Sequence, residues 1–314
     1  MSAALAQMEA IVHAHAALGL PSHADAQAHP VDHSTYAVAF AAARRLGFMV
    51  EDAECVAQAW NTQSARTGAF HALDWPSHPH DFGLRAPPPG EAFVPCPKLR
   101  GLYAVLPTAA WVARMAAAGV RTVQLRFKSR DPQAIRAEVE AAVAAVQGTA
   151  CSLFINDHWE EAIRAGAYGV HLGQEDLDSA NLNAIRKAGL RLGLSTHGYA
   201  EIQRAHRLAP SYIALGAVYP TTLKQMPTPP QGSARLRAYA RLLQGTPVVA
   251  IGGIDLARLP TIANSGVDAF AVVRAITAAA DPEAAVHELE QAFARHTEQK
   301  NDLQPKTGEN GTII

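Results

Sequence analysis

Beyond residue 100 the chain alternates between short apolar runs and longer, alanine-rich segments whose apolar residues recur at helical spacing. The runs lie at 101–106, 122–128, 151–156, 169–172, 191–195, 212–218, 247–251 and 269–273, and they read as buried strands. Strand followed by helix, eight times over in about 200 residues, predicts an α/β fold: a closed (β/α)8 TIM barrel of parallel strands covered on the outside by helices. Its last helix is predicted from 282 to 295. A doubly wound sheet is the alternative, but that fold carries a glycine-rich turn after its first strand, and here Leu106-Pro107-Thr108 follows instead.

The upstream residues follow a different pattern. Helical spacing at 2–18, 34–46 and 51–63, with Gly47 placed to end the second segment, predicts a small helical N-terminal extension over 1–73. Between 74 and 100 stand Pro76, Pro79, Pro87, Pro88, Pro89, Pro95 and Pro97. Each removes a backbone donor and restricts the residue before it, so continuous helix and central strand are both excluded and the segment reads as a linker. The barrel then spans 101–296, and the polar residues 297–314 predict a disordered tail. Since the barrel closes its own core, it is expected to fold without residues 1–97.

Composition narrows the function classes. With 314 residues, 49% hydrophobic and 18% charged, the chain can bury one large core and a small second unit. A formal net charge of -1 with no run of Lys or Arg argues against a nucleic-acid partner. No apolar stretch reaches the roughly 18 residues of a membrane span, and the first residues lack the basic start of a signal peptide. Cys55, Cys96 and Cys151 are odd in number and widely spaced, which suits neither a disulfide framework nor zinc and fits a reducing cytoplasm. Eight of the 14 histidines precede residue 81, scattered in a way that reads as solvated loop residues rather than a metal site.

Chemistry enters at the strand ends. The second run closes on Arg126 and Lys128, the third on Asn156 and Asp157, and the fourth leads to Asp176. A parallel barrel gathers strand C-termini on one face, so two cations and two carboxylates are expected to meet at the mouth, a set suited to a Mg²⁺-bound diphosphate. Singly, either Asp reads as a helix N-cap. Gly252-Gly253 after the seventh run, with the turn after the eighth, offers a backbone cradle for a second phosphate, although a double glycine alone is as readily a tight turn. His171, inside an apolar strand, reads as a satisfied barrel residue, and His197 as a neighbour of the site. No Ser/His/Asp or Cys/His arrangement stands at the strand ends.

Seven segments, taken in order, resemble those of thiamine phosphate synthases: QLRFK at 124–128, IND at 155–157, GVHLGQED at 169–176, GLSTH at 193–197, YPTTLK at 219–224, VVAIGGI at 248–254 and AVVRAI at 271–276. Members of that family couple a hydroxymethylpyrimidine diphosphate to a thiazole phosphate, releasing diphosphate. The resemblance implies that Gln124, Arg126, Lys128 and Lys224 hold the pyrimidine diphosphate, with the three cations acting catalytically on the leaving group. It also implies that Asn156 and Ser195 address the pyrimidine, that Asp157 and Asp176 ligate a Mg²⁺ cofactor, and that Thr221, Thr222, Leu223, Gly253, Val273 and Arg274 surround the thiazole phosphate. The implied partners are small molecules; a homo-oligomer is left open.

The chain departs from the family pattern at two points. Many members carry Thr where Leu223 stands and Ser where Arg274 stands. Leu223 removes a hydroxyl donor whose bond to a charged group is worth about 1.5–3 kcal/mol, and the forked donors of Arg274 are expected to replace it. Upstream, residues 34–61 resemble the terminal helical part of hydroxymethylpyrimidine phosphate kinases, but His33-Ser34-Thr35 replaces the expected glycine-rich anion-binding turn and the segment is too short for a kinase. The extension is therefore expected to be non-catalytic. Two other readings compete with synthase activity. One is a barrel isomerase that tautomerises the thiazole precursor with His197 as proton carrier; the other is a non-enzymatic sensor of a phosphorylated ligand. The cation and carboxylate set at the mouth has little use in an isomerase and favours the synthase.

Overall fold

The computed structural model describes residues 2–88, 90–222 and 228–302, with side chains through 297. Eight strands, β1 (Gly101–Leu106), β2 (Thr122–Leu125), β3 (Ser152–Asn156), β4 (Gly169–Leu172), β5 (Arg191–Thr196), β6 (Tyr212–Leu215), β7 (Val248–Ile251) and β8 (Ala269–Val272), pair in sequence order and close by β8 pairing with β1. Every pairing is parallel, so the expected (β/α)8 barrel is the observed architecture and the doubly wound alternative falls. The strands are joined by helices α4 (Ala109–Ala117), α5 (Pro132–Val146), α6 (Trp159–Ala165), α7 (Leu182–Lys187), α8 (Tyr199–Arg207), α9 (Gly232–Leu242) and α10 (Leu259–Ala263), followed by α11 (Arg274–Thr277) and α12 (Pro282–Asp302).

Three strands end before their apolar runs do. The ladder of β2 stops at Leu125, β6 at Leu215 and β8 at Val272, each short of the expected end. Past the rim of the barrel the backbone still finds partners without keeping a regular register: Arg126 N–H donates to Leu106 O at 2.7 Å and Val218 N–H to Ile251 O at 2.9 Å. At the other end of the chain, α12 runs through 297–302, where a disordered tail was expected. No Pro or Gly interrupts the helix there before Pro305, so the sequence holds no stop signal.

The barrel interior is filled by Tyr103, Val105, Phe154, Tyr212, Val249 and Ala271, with Leu99 and Cys96 joining from the segment before β1. Large rings are accommodated by small neighbours. A Cβ on Gly193 would lie 2.1 Å from Cζ of Tyr212, so β5 carries glycine where that ring crosses the interior.

Upstream, α1 (Ala3–Ala14), α2 (Thr35–Arg45) and α3 (Val50–Thr67) form the helical extension. Ser2 and Ser34 cap the first two, accepting from Leu5 N–H at 3.2 Å and Ala37 N–H at 3.1 Å. Met8, Ile11, Val38, Phe48, Val56 and Trp60 are buried among them, and this apolar cluster is continuous with the barrel's shell through Tyr199, Ile202 and Tyr239. Residues 74–100 lie on the barrel as a strap: Phe82, Leu84, Phe93 and Leu99 are all buried. Arg66 pairs with the buried Asp81 at 2.6 Å, and Phe93 N–H reaches Ala209 O at 2.9 Å. The prolines thus set an extended path whose apolar residues are packed down. His15 departs from the solvated-loop reading, since its ring packs on Trp60 and Trp75, its Nε2 meets Ala72 O at 3.2 Å, and burial lowers its pKa. Among the described residues no helix is long and apolar enough to cross a membrane.

Candidate active site

Gln124 lies on β2, and Arg126 and Lys128 follow the end of that strand at Leu125, so the three run outward from the barrel interior. Gln124 is buried, Arg126 half-buried and Lys128 exposed. Gln124 is the first member of a polar chain through an otherwise apolar interior. Its Nε2 donates to the Tyr103 hydroxyl at 3.2 Å; Tyr103 and Tyr212 share a hydroxyl contact of 2.8 Å; the Tyr212 hydroxyl lies 2.7 Å from Nδ1 of His171. His171 Nε2 then meets Ser195 Oγ at 2.8 Å. Gln174, beyond β4, donates to Ser195 O at 2.8 Å. Burial raises the pKa of both Tyr103 and Tyr212, so each phenol keeps its proton and can donate along the chain. Gln124 and Ser195 are thereby coupled through one hydrogen-bonded path, and His171 is satisfied by partners on both ring nitrogens.

The charged residues meet above this floor. Asp157 follows β3 with a left-handed φ of 63°, unusual for a residue with a side chain. Burial of its carboxyl and the adjacent carboxylate of Asp176 push its pKa up, while Arg126 and His158 pull it back. The residue as a whole is exposed, so water softens the burial effect and the like charge retains its weight. Arg126, Asp157 and Asp176 therefore form one electrostatic group. Neither Asp is an N-cap: the cap position of α6 is His158, and Asp176 Oδ2 instead accepts the Gly173 N–H at 2.8 Å within its own loop. Asn156 ends β3 in register with His171.

On the far side of the mouth, Gly252 and Gly253 have φ of 103° and 63°. A Cβ on Gly253 would lie 2.6 Å from Pro220 O, so the turn after β7 is packed against the loop after β6 and tolerates only glycine. The Arg258 guanidinium donates to Gly253 O, pairs with Asp255 at 3.3 Å and stacks on Tyr219 at 4.6 Å. Thr221 is half-buried and Thr222 exposed on the β6 loop. Val273 precedes α11, and Arg274 is its exposed first residue. Leu223 and Lys224 lie outside the described residues. His197 is held by Glu201, whose Oε2 accepts from its backbone N–H at 2.9 Å and lies 2.6 Å from its Nδ1.

Three residues of this arrangement escaped the sequence reading. Tyr103 and Tyr212 sit in apolar runs whose lone polar atoms were the available signal, whereas Gln174 carried no signal beyond its place beside Asp176.

Residues 102–276 match the family model described as thiamine monophosphate synthase. The thiamine-phosphate synthase of Neisseria meningitidis serogroup A is 58% identical over 194 residues, covering 62% of this chain and 95% of that protein. That of Escherichia coli is 53% identical over 189 residues, covering 60% of this chain and 90% of that protein. Among solved structures, the thiamine phosphate pyrophosphorylase of Pyrococcus furiosus shares the fold with a TM-score of 0.55 at 24% identity, covering 62% of this chain and 96% of that one. With more than half of its length matched and the strand-end motifs gathered on one rim, the chain belongs to the thiamine monophosphate synthase family, whose members are transferases of thiamine biosynthesis.

Proposed function

We propose that this protein couples 4-amino-2-methyl-5-(diphosphooxymethyl)pyrimidine with 4-methyl-5-(2-phosphoethyl)thiazole, or its carboxylated form, to give thiamine phosphate and diphosphate. The observation that carries the reading is the meeting of Arg126, Asp157 and Asp176 above the Gln124–Ser195 path. Two crowded carboxylates are hard oxygen donors, and among the described residues no group of three or more His, Cys, Asp or Glu gathers to enclose an ion. Such a pair fits Mg²⁺, which takes one or two carboxylates and completes its octahedron with phosphate oxygens and water. When bound, Mg²⁺ would supply charge neutralisation to the departing diphosphate.

The chain's own residues do the rest. Arg126 and Lys128 add positive charge along the diphosphate, with Lys224 assigned to the same phosphates by its motif. Gln124, Asn156 and Ser195 hold the aminopyrimidine in plane, so that the ring can release electrons to its exocyclic carbon as the carbon–oxygen bond breaks. The thiazole nitrogen captures the resulting cation and has no proton to lose, which removes the need for a general base. Positioning of two bound partners can lower such a barrier by about 7–11 kcal/mol. Gly253, Val273 and Arg274 are assigned to the thiazole phosphate, with Arg274 standing in for the hydroxyl that Leu223 lacks.

The test is product formation by the purified chain given both substrates and Mg²⁺, with an EDTA control. Mg²⁺-dependent thiamine phosphate supports the reading, as would a large loss of turnover in Asp176→Ala. Binding of both ligands without turnover would replace it with the sensor. The isomerase reading has one observation on its side, the His197–Glu201 pair, and tautomerisation of the thiazole precursor in the absence of pyrimidine would favour it.

A further inference from the structure

The matched family region begins at residue 102, yet the extension before it reaches the rim of the barrel at two places. The first is the start of α8. Gly198, the cap position of this helix, has no side chain to accept the helix's free amides, and Asp52 of α3 does so instead, its Oδ1 taking the Ala200 N–H at 2.9 Å. The carboxylate sits so close that a Cβ on Gly198 would lie 2.1 Å from Oδ2 and 2.6 Å from Cγ. Tyr199, the next residue, is locked in the same interface: its hydroxyl receives Trp75 Nε1–H at 3.0 Å and its ring stacks on Phe82 at 4.6 Å. Gln203, one turn on, donates to Phe82 O at 3.0 Å.

The second place is α9. Arg235, almost fully buried, donates through Nε to Leu18 O at 2.8 Å and through Nη2 to Leu46 O at 3.0 Å, both carbonyls of the extension. Its Nη1 reaches Oε1 of Gln231 at 3.2 Å. Gln231 N–H in turn donates to Ala217 O at 2.8 Å, inside the loop after β6. The extension thus grips the helices that follow β5 and β6.

Only two residues, Thr196 and His197, separate Ser195 from Gly198, and His197 is already tied to the first turn of α8 through Glu201. A shift at the start of that helix is therefore passed directly to the end of β5. We propose that Asp52 is a positioning residue of the active site: by capping α8 across the boundary between extension and barrel, it fixes the β5–α8 turn and with it Ser195 and His197. The extension is on this view a structural part of the barrel mouth, although none of its residues touches the reacting atoms.

The experiment uses the full chain and compares Asp52→Ala, Asp52→Asn, Gly198→Ala and the Asp52→Ala/Gly198→Ala double variant. Asp52→Ala should speed amide hydrogen exchange across 195–204 while leaving β1 and β2 protected as in wild type. Well below its melting temperature it should raise the KM for the pyrimidine diphosphate by roughly ten-fold to a hundred-fold, as for a displaced contact, and leave the KM for the thiazole phosphate near wild type. Asp52→Asn, which keeps the accepting oxygen, should restore both readouts. Gly198→Ala should be damaging alone and mild in the Asp52→Ala background, because the atom it strikes is gone. Wild-type exchange over 195–204 in Asp52→Ala would overturn the proposal. So would an activity loss that falls equally on both substrates and follows the unfolded fraction. The kinetic arm rests on the synthase reading above, whereas the exchange arm does not: an inactive wild type would remove that reading and leave the exchange result to decide the role of Asp52.

Discussion

Arg235 offers the sharpest test of how the extension is held. Its guanidinium makes three hydrogen bonds, to Leu18 O, Leu46 O and Gln231 Oε1, and lies 3.6 Å above the Phe48 ring. Burial of the charge lowers its pKa, so part of what these contacts contribute is offset by lost hydration. Removing the donor nevertheless leaves a buried neutral acceptor without a partner, at about 1–3 kcal/mol. Here Leu46 O keeps a bond from Leu20 N–H at 2.8 Å, which leaves Leu18 O as the carbonyl that loses most. Gln231 Oε1 likewise keeps the Tyr239 hydroxyl at 3.0 Å. Arg235→Ala should therefore lose about 1–3 kcal/mol, and Arg235→Met less, since its stem still covers Phe48. Urea unfolding followed by tryptophan fluorescence, to which Trp60 of the extension and Trp75 of the strap contribute, and by far-UV circular dichroism reads the loss. If the two transitions separate, the extension detaches ahead of the barrel. A loss in Arg235→Ala below about 1 kcal/mol, the range of an ordinary surface change, would refute the reasoning.

Other outcomes follow from the same geometry. Asp157 has its pKa raised in the folded protein, so without a cation its contribution to stability is complete below the unfolded carboxylate value and is lost as pH rises through the folded one. Mg²⁺ binds the deprotonated pair, and its effect on Tm should accordingly grow as pH rises through the raised Asp157 titration; a gain that is the same at every pH would count against the metal assignment. Gly193→Ala places a methyl 2.1 Å from Tyr212 Cζ and should destabilise the barrel by about 1–3 kcal/mol, read as a fall in Tm. Removal of residues 1–97 exposes Tyr199 and Tyr239, which are 1% and 2% exposed in the whole chain, and should yield a barrel prone to aggregation. A soluble truncation with a single sharp melting transition would show that the barrel needs no partner.

Much of the site is legible along the chain because a parallel barrel turns sequence order into spatial order. The residue at the end of each buried run must stand on the same rim, so Arg126, Lys128, Asp157 and Asp176 could be placed together from the strand pattern, whereas Asn156 and Ser195 entered through the resemblance. The lengths of β2, β6 and β8 were overestimated because the runs continue past the rim, where single backbone bonds such as Arg126 N–H to Leu106 O take the place of a regular ladder. The path Gln124–Tyr103–Tyr212–His171–Ser195 joins residues from five strands, and nothing in any one run signals it.

The extension marks the limit most clearly. Asp52 and Gly198 are 146 positions apart, and Arg235 lies 189 positions from the Leu46 carbonyl it holds. Local sequence determines α3 by its apolar spacing, and it determines α8 by the same rule. Which carboxylate caps which helix, and why residue 198 must lack a side chain, depends on how two helices approach, and that is set by the packing of Phe48, Trp75, Phe82, Tyr199 and Tyr239. Periodicity thus determined the barrel and the residues on its rim, and the resemblance of seven motifs pointed to its family. Only the tertiary structure decided that the strap and the extension share the barrel's core, because the contacts that join them have no periodicity along the chain.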